Sequence, residues 1–153
     1  MTPSPPTDRD TPSGFEDLHA TALSHASRAL LLTGPSGSGK SALALQLLAL
    51  GAGLIADDRV QLSRRGPAII ASRPPTPAPS GIEARGLGLI AVPAAPAAPL
   101  ALVVDLAHRE EARLPPSRHL TLLGQPCPLI YKAEGPHFAA GLLLLLAHGP
   151  LEP

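Results

Sequence analysis

At 153 residues the chain fits one domain, large enough to bury a core without disulfides or a structural metal. Its 20 Pro and 14 Gly stand beside two Phe, one Tyr and no Trp, so Leu, Ala, Val and Ile must build that core. Lys plus Arg and Asp plus Glu balance at 12 each, which removes the broad positive field that holds nucleic acid, and the single Cys127 excludes an internal disulfide and a multi-cysteine zinc site.

Met1 to Ser13 is rich in Pro, Thr and Asp and lacks the apolar stretch of a secretory signal. Residues 1–17 are therefore expected to form a disordered tail ahead of one domain over 18–150. Ala29-Leu30-Leu31-Leu32-Thr33 is a short continuous apolar run, as in a strand buried on both faces of a mixed or parallel sheet. After a glycine-rich loop, Ser41 to Leu50 is built of good helix formers and Gly51 closes it. Gly53-Leu54-Ile55-Ala56 reads as the next strand, stopped by Asp57-Asp58. Val60 to Ser63 and Ala68 to Ala71 flank a Gly66-Pro67 turn and predict a hairpin.

Arg73 to Ser80 is Pro-dense and reads as loop. Ile82 to Ile90 interrupts an apolar stretch with Glu83, Arg85, Gly86 and Gly88. Leu100 to Leu106 is strand-like, Ala107 to Pro128 reads as a long charged loop with short elements, and Cys127 is expected as a buried small hydrophobe in a turn over Gln125 to Pro128. Pro136 predicts a last helix over His137 to His148, ended by Gly149-Pro150. The longest apolar run, Ala139 to Ala147, is too short to cross a bilayer, and with the lone thiol this points to a cytoplasmic protein with no membrane partner.

The pattern Gly34-Pro35-Ser36-Gly37-Ser38-Gly39-Lys40-Ser41 lies between that first strand and helix, the order a phosphate-binding (Walker A) loop requires. Its glycines let backbone N–H groups converge on phosphate oxygens. Lys40 adds charge at the outer phosphates, Ser41 a hydroxyl for Mg2+, and the helix its positive dipole end. The motif predicts ATP binding but is shared by kinases, hydrolases and switch proteins. Asp57 and Asp58 would lie beside the phosphates if their strand neighbours Ala29 to Thr33, one serving as base and the other supporting Mg2+. A rival metal support is Asp105, which ends the apolar run Leu102-Val103-Val104.

In order along the chain, His19, the loop, Leu54-Ile55-Ala56-Asp57-Asp58-Arg59-Val60 and Ile82-Glu83-Ala84-Arg85-Gly86-Leu87-Gly88-Leu89-Ile90 resemble the HPr kinase/phosphorylase family. The resemblance covers about Leu18 to Ile90, and more loosely runs on to His148. It implies an α/β fold of the phosphoenolpyruvate-carboxykinase-like phosphate-loop type, a mixed sheet with flanking helices. It further implies ATP and Mg2+ as cofactors, an HPr-type phosphocarrier as partner and a homo-oligomer, hexameric in the family. Asp58 would be the acid/base residue supported by Asp57, with Ser41, Glu83 and Asp57 at the metal. His19 would be the family's upstream His and Arg113 its Arg facing the partner. Ala20 follows His19 where the family has Gly, Ala42 follows Ser41 where it has Glu, and Tyr131 to His137 stands for its Pro-Val-Arg-Pro-Gly-Arg-Asn stretch. The implied activity is that of a short, catalytic-domain-only protein-serine kinase acting on HPr. A small-molecule kinase or NTPase using Asp105, and a nucleotide-binding module without turnover, are the alternatives.

Overall fold

The structure is a computed structural model and describes residues 15–151. Eleven strands and two helices follow one another among these residues. β1 (Phe15–Leu18), β2 (Thr21–His25) and β3 (Arg28–Thr33) lead into α1 (Lys40–Ala49). β4 (Gly53–Ala56), β5 (Val60–Arg65) and β6 (Ala68–Ser72) come next, then β7 (Gly81–Ala84) and β8 (Gly88–Ala91). β9 (Ala98–Arg109), β10 (His119–Leu122), β11 (Gln125–Lys132) and α2 (Phe138–His148) complete the fold.

Nine strands form one mixed sheet in the order β1-β5-β6-β9-β3-β2-β4, with β11 also on β9 and β10 on β11. β3 sits near its middle, which is why its sequence is continuously apolar. Leu30 and Leu32 pack with Leu43 and Leu47 of α1 and Leu142 and Leu146 of α2, while Ala29 and Leu31 face a second core. That second core brings Val60 and Leu62 of β5 and Ile69 and Ala71 of β6 against Ile55, Val103 and Cys127. One face of the central strands is therefore covered by helices and the other by the β5–β6 hairpin. β7 and β8 form a separate ribbon whose Ile82 joins the core under α1. Leu87 and Leu89 on this ribbon stay exposed.

Three expectations need correction. Phe15–Leu18 belongs to the sheet as β1, paired antiparallel with β5, so the ordered part begins before residue 18; Met1 to Gly14 lie outside the described residues. Four residues with one weak alternation carry no strand signal alone, and the long-range pairing creates this one. Second, the Ala107–Pro128 stretch holds the end of β9, all of β10 and the start of β11. Cys127 is buried as expected but sits in β11 opposite Leu120 of β10, not in a turn. Pro126 and Pro128 hid this strand. The N–H of Leu129 reaches Arg118 O on the β10 side, so by alternation the two proline nitrogens point away from β10, where pairing with β9 begins only at Leu129. Third, β4 does not neighbour β3, because β2 lies between them.

Candidate functional site

Strand direction gathers the chemistry at one end of the sheet. β9 and β11 run parallel to β3, and β4 does too, since it is antiparallel to β2 and β2 to β3. The glycine-rich loop after β3, Asp57-Asp58 after β4, Asp105 on β9 and Lys132 ending β11 thus all stand at the carboxyl end of parallel strands, where open α/β sheets place ligands.

The loop from Gly34 to Gly39 joins β3 directly to α1. A Cβ on Gly34 would lie 2.6 Å from Ser38 Oγ, and its φ of 141° is costly for any other residue, so glycine is required there. Gly39 caps α1 in a left-handed conformation with no side-chain cap, and the first turn carries no acidic residue. The first helical hydrogen bond runs from Leu43 N to Gly39 O, which leaves the N–H groups of Lys40, Ser41 and Ala42 outside the helix ladder and open to an anion. Ser38 Oγ is buried within the loop without a partner among the described residues. Lys40 Nζ donates to Gly34 O and Pro35 O, holding its ammonium over the first half of the loop. These donors suit phosphate oxygens.

The acids are fixed by the link between β1 and β2. His19 Nε2 lies 2.6 Å from Asp58 Oδ1, Ala20 N donates to Asp58 O at 3.2 Å, and the buried Thr21 donates its hydroxyl to Asp57 Oδ1 at 2.8 Å. Thr21 is opposite Leu32, one residue before the end of β3, so the clamp ties the acid pair to the strand that leads into the glycine-rich loop. Asp58 itself has φ 74°, and Arg59 N donates to Asp57 O at 2.9 Å. An i+2 to i bond closed around a positive φ is a strained γ-turn, and such strain collects where a side chain must be aimed. Beside it a cleft of about 360 Å³ is lined by Asp57, Asp58, Arg59, Arg73 and residues of the Pro74–Gly81 segment. His19 and Asp58 are both exposed to it or to solvent.

Asp105 stands opposite Thr33 in the direct neighbour of β3, nearer the loop in sheet order than the acid pair. Both its oxygens are engaged locally, Oδ1 by Ala107 N and Oδ2 by His108 Nδ1, each at 2.8 Å. Both bonds stay within three residues along β9, so this carboxylate is spent on its own segment. Asp57 and Asp58 each spend one oxygen on the clamp. Glu83 lies on the exposed face of β7, opposite to the buried Ile82 and Ala84, and Arg113 is on the exposed connection between β9 and β10 with no side-chain partner among the described residues. Among the described residues no three His, Cys, Asp or Glu side chains cluster to hold a metal. Ser41 and Asp57 carry oxygen donors of the kind that Mg2+ takes, an ion that keeps most of its own water. Sequence reasoning passed over Thr21 and Lys132. Thr21 begins β2 two residues after His19, and that short spacing is the one local signal for it.

The description of the HPr Serine kinase C-terminal domain matches residues 13–112. The HPr kinase/phosphorylase of Bordetella pertussis is 45% identical over 73 residues, covering 48% of this chain and 24% of that protein. The HPr kinase/phosphorylase of Aromatoleum aromaticum is 42% identical over 73 residues, 23% of its length. The matched stretch thus spans about a quarter of these relatives. In three dimensions the Hpr(Ser) kinase/phosphatase from Coxiella burnetii superposes with a TM-score of 0.68 at 25% identity, over 86% of this chain and 87% of that one. With the family description covering well over half of its length and the fold shared, this chain belongs to the HPr serine kinase C-terminal domain family.

Proposed function

We propose that the domain running from β1 to α2 is a catalytic domain that transfers the γ-phosphoryl group of ATP to a serine of an HPr-type phosphocarrier protein in the cytoplasm, and that it returns the phosphate by phosphorolysis. The observation that carries this reading is the clamp of His19 and Thr21 on Asp58 and Asp57, one strand away from a loop with free N–H donors. Such an arrangement suits transfer to a hydroxyl better than nucleotide storage, because a hydroxyl acceptor needs a carboxylate to take its proton.

In this reading residues 34–41 hold the phosphates, with Lys40 and the N-terminus of α1 supplying positive potential. Ser41, Asp57 and Glu83 hold Mg2+. When bound, ATP and Mg2+ supply the transferable phosphoryl group and the charge that stabilises it in flight. Asp58 accepts the proton of the serine Oγ through the oxygen that His19 leaves free. His19 fixes the carboxylate rotamer, and Thr21 does the same for Asp57. In the reverse direction Asp58, now protonated, returns its proton to the departing serine oxygen as phosphate takes the phosphoryl group. Arg113, on its exposed loop, faces the carrier protein. A homo-oligomer is part of the same proposal.

The test is incubation of the purified chain with ATP, Mg2+ and HPr, alongside Asp58→Asn. Asn keeps the positive φ at low cost but accepts no proton. Wild type should yield phosphoserine on HPr. The variant should be slower by about 10²- to 10⁴-fold in both directions, the range of a positioned general base, with ATP affinity within a few-fold. Transfer to a metabolite in place of HPr, or normal transfer by the variant, would overturn the assignment.

A further inference from the structure

A second cation stands over the phosphate loop. Lys132 ends β11, and its Nζ would lie 3.6 Å from a Cβ placed on Gly39, the last loop residue before α1. Lys40 covers the other half of the loop, at Gly34 O and Pro35 O. The two ammonium groups therefore approach the loop from opposite halves, one from inside the motif and one from a strand almost a hundred residues later.

Three features direct Lys132 there. The pairing of β11 with β9 passes from Tyr131 opposite Asp105 to Lys132 opposite Arg109, so the extra residues of this irregularity, Leu106 to His108, lie on β9 and β11 itself runs on unbroken to Lys132. Its backbone is then anchored, with Glu110 N donating to Lys132 O at 2.8 Å. Ile130, two residues earlier, packs into the core beneath α1, so strand alternation puts Lys132 on the same α1 face. The nearby acids are engaged elsewhere: Glu110 with Arg118 and Glu134 with Arg109. No carboxylate partner of Lys132 occurs among the described residues.

We propose that Lys132 is a second phosphate-binding cation of this site, contacting the phosphate chain of the nucleotide from the Gly39 side while Lys40 contacts it from the Gly34 side. The proposal rests on the nucleotide-binding reading of the loop. Its ligand class is a polyphosphate, so inorganic pyrophosphate, which has no base or sugar, should sense Lys132 as ATP does. An ammonium beside a phosphate oxygen in a half-buried site makes a charge-assisted hydrogen bond, and its removal should weaken binding roughly ten-fold.

Calorimetric titration of ATP and pyrophosphate into the full chain, its Lys40→Ala variant, and Lys132→Ala, Lys132→Gln and Lys132→Arg tests this. The Ala and Gln variants should lose roughly ten-fold affinity for both ligands, and Arg should stay within about three-fold of wild type because it keeps the charge. The loss should shrink as salt is raised. If Lys40→Ala weakens binding but Lys132→Ala and Lys132→Gln do not, Lys132 is a surface lysine and only this proposal falls. If wild type binds neither ligand, or Lys40→Ala changes nothing, the loop reading and this proposal fall together. An Arg variant as weak as Ala would mark a role in packing and would also overturn it.

Discussion

Asp58, just beyond β4, and Asp105, within β9, lie toward the same end of the sheet and differ in what their oxygens are doing. Asp105 spends both on the residues that follow it, whereas Asp57 and Asp58 each keep one clear of the clamp. If Glu83 supports the metal as proposed, Glu83→Gln should raise the Mg2+ concentration needed for phosphoryl transfer several-fold, while Asp105→Asn, whose oxygens are already engaged, should leave it nearly unchanged and cost a little stability. Transfer rates measured across a Mg2+ series decide between them, and a larger effect at Asp105 would favour an ordinary NTPase. Cys127 offers a test of packing at the same scale. Burial raises its thiol above the ordinary 9.0. A thiol whose folded value is raised leaves stability intact below about pH 9; above that the unfolded chain ionises first and stability falls until the folded value is passed. Denaturation curves from pH 8 to 10.5 should show that decline in wild type and a shallower one in Cys127→Val, and the native thiol should react slowly with iodoacetamide at pH 8. Equal pH slopes would mean that Cys127 is wet.

The β2–β3 hairpin shows why some elements escape a sequence reading. Its two-residue turn is Ala26-Ser27, with φ of 54° and 63°, where Asn-Gly would be the ordinary choice. No turn residue announces it, so β2 was not foreseen, and with it went Thr21 and the clamp. The β3–α1 unit was legible because its apolar run, glycines and helix formers are all local signals. Each left-handed non-glycine residue costs roughly 1 kcal/mol or more. Ala26→Asn with Ser27→Gly should therefore stabilise the domain by about 1 kcal/mol and leave ATP affinity unchanged, as read by denaturant midpoint and titration. Unchanged or lower stability would mean that the turn is not strained. The C-terminus of α2 is tied to the same hairpin, because Arg28 Nη1 donates to Leu146 O at 2.7 Å. Arg28→Met keeps the apolar stem and removes that charge from the helix end, so it should cost about 1 kcal/mol in the same assay.

Across the whole molecule, the sheet carries two cores, one under α1 and α2 and one under the β5–β6 hairpin, and nearly every large side chain in them is aliphatic. With few aromatics to anchor the layers, single leucines matter. Replacing Leu47, fully buried between α1 and the sheet, by Ala should cost about 2–5 kcal/mol of stability, and the glycine-rich loop should loosen with the helix that holds its end. A loss below about 1 kcal/mol would show that the site collapses around the cavity. Local chemistry was enough to identify the loop, its strand and helix, the β5–β6 hairpin, the last helix and the family, because each depends on neighbours in sequence. What needed the tertiary structure was every relation between distant segments. Sheet order put β2 between the loop strand and the acid pair, made Thr21 and His19 their holders, brought Asp105 beside Thr33 and carried Lys132 to Gly39. Strand order is set by long-range pairing and by which faces can be buried together, and neither is written in a run of adjacent residues.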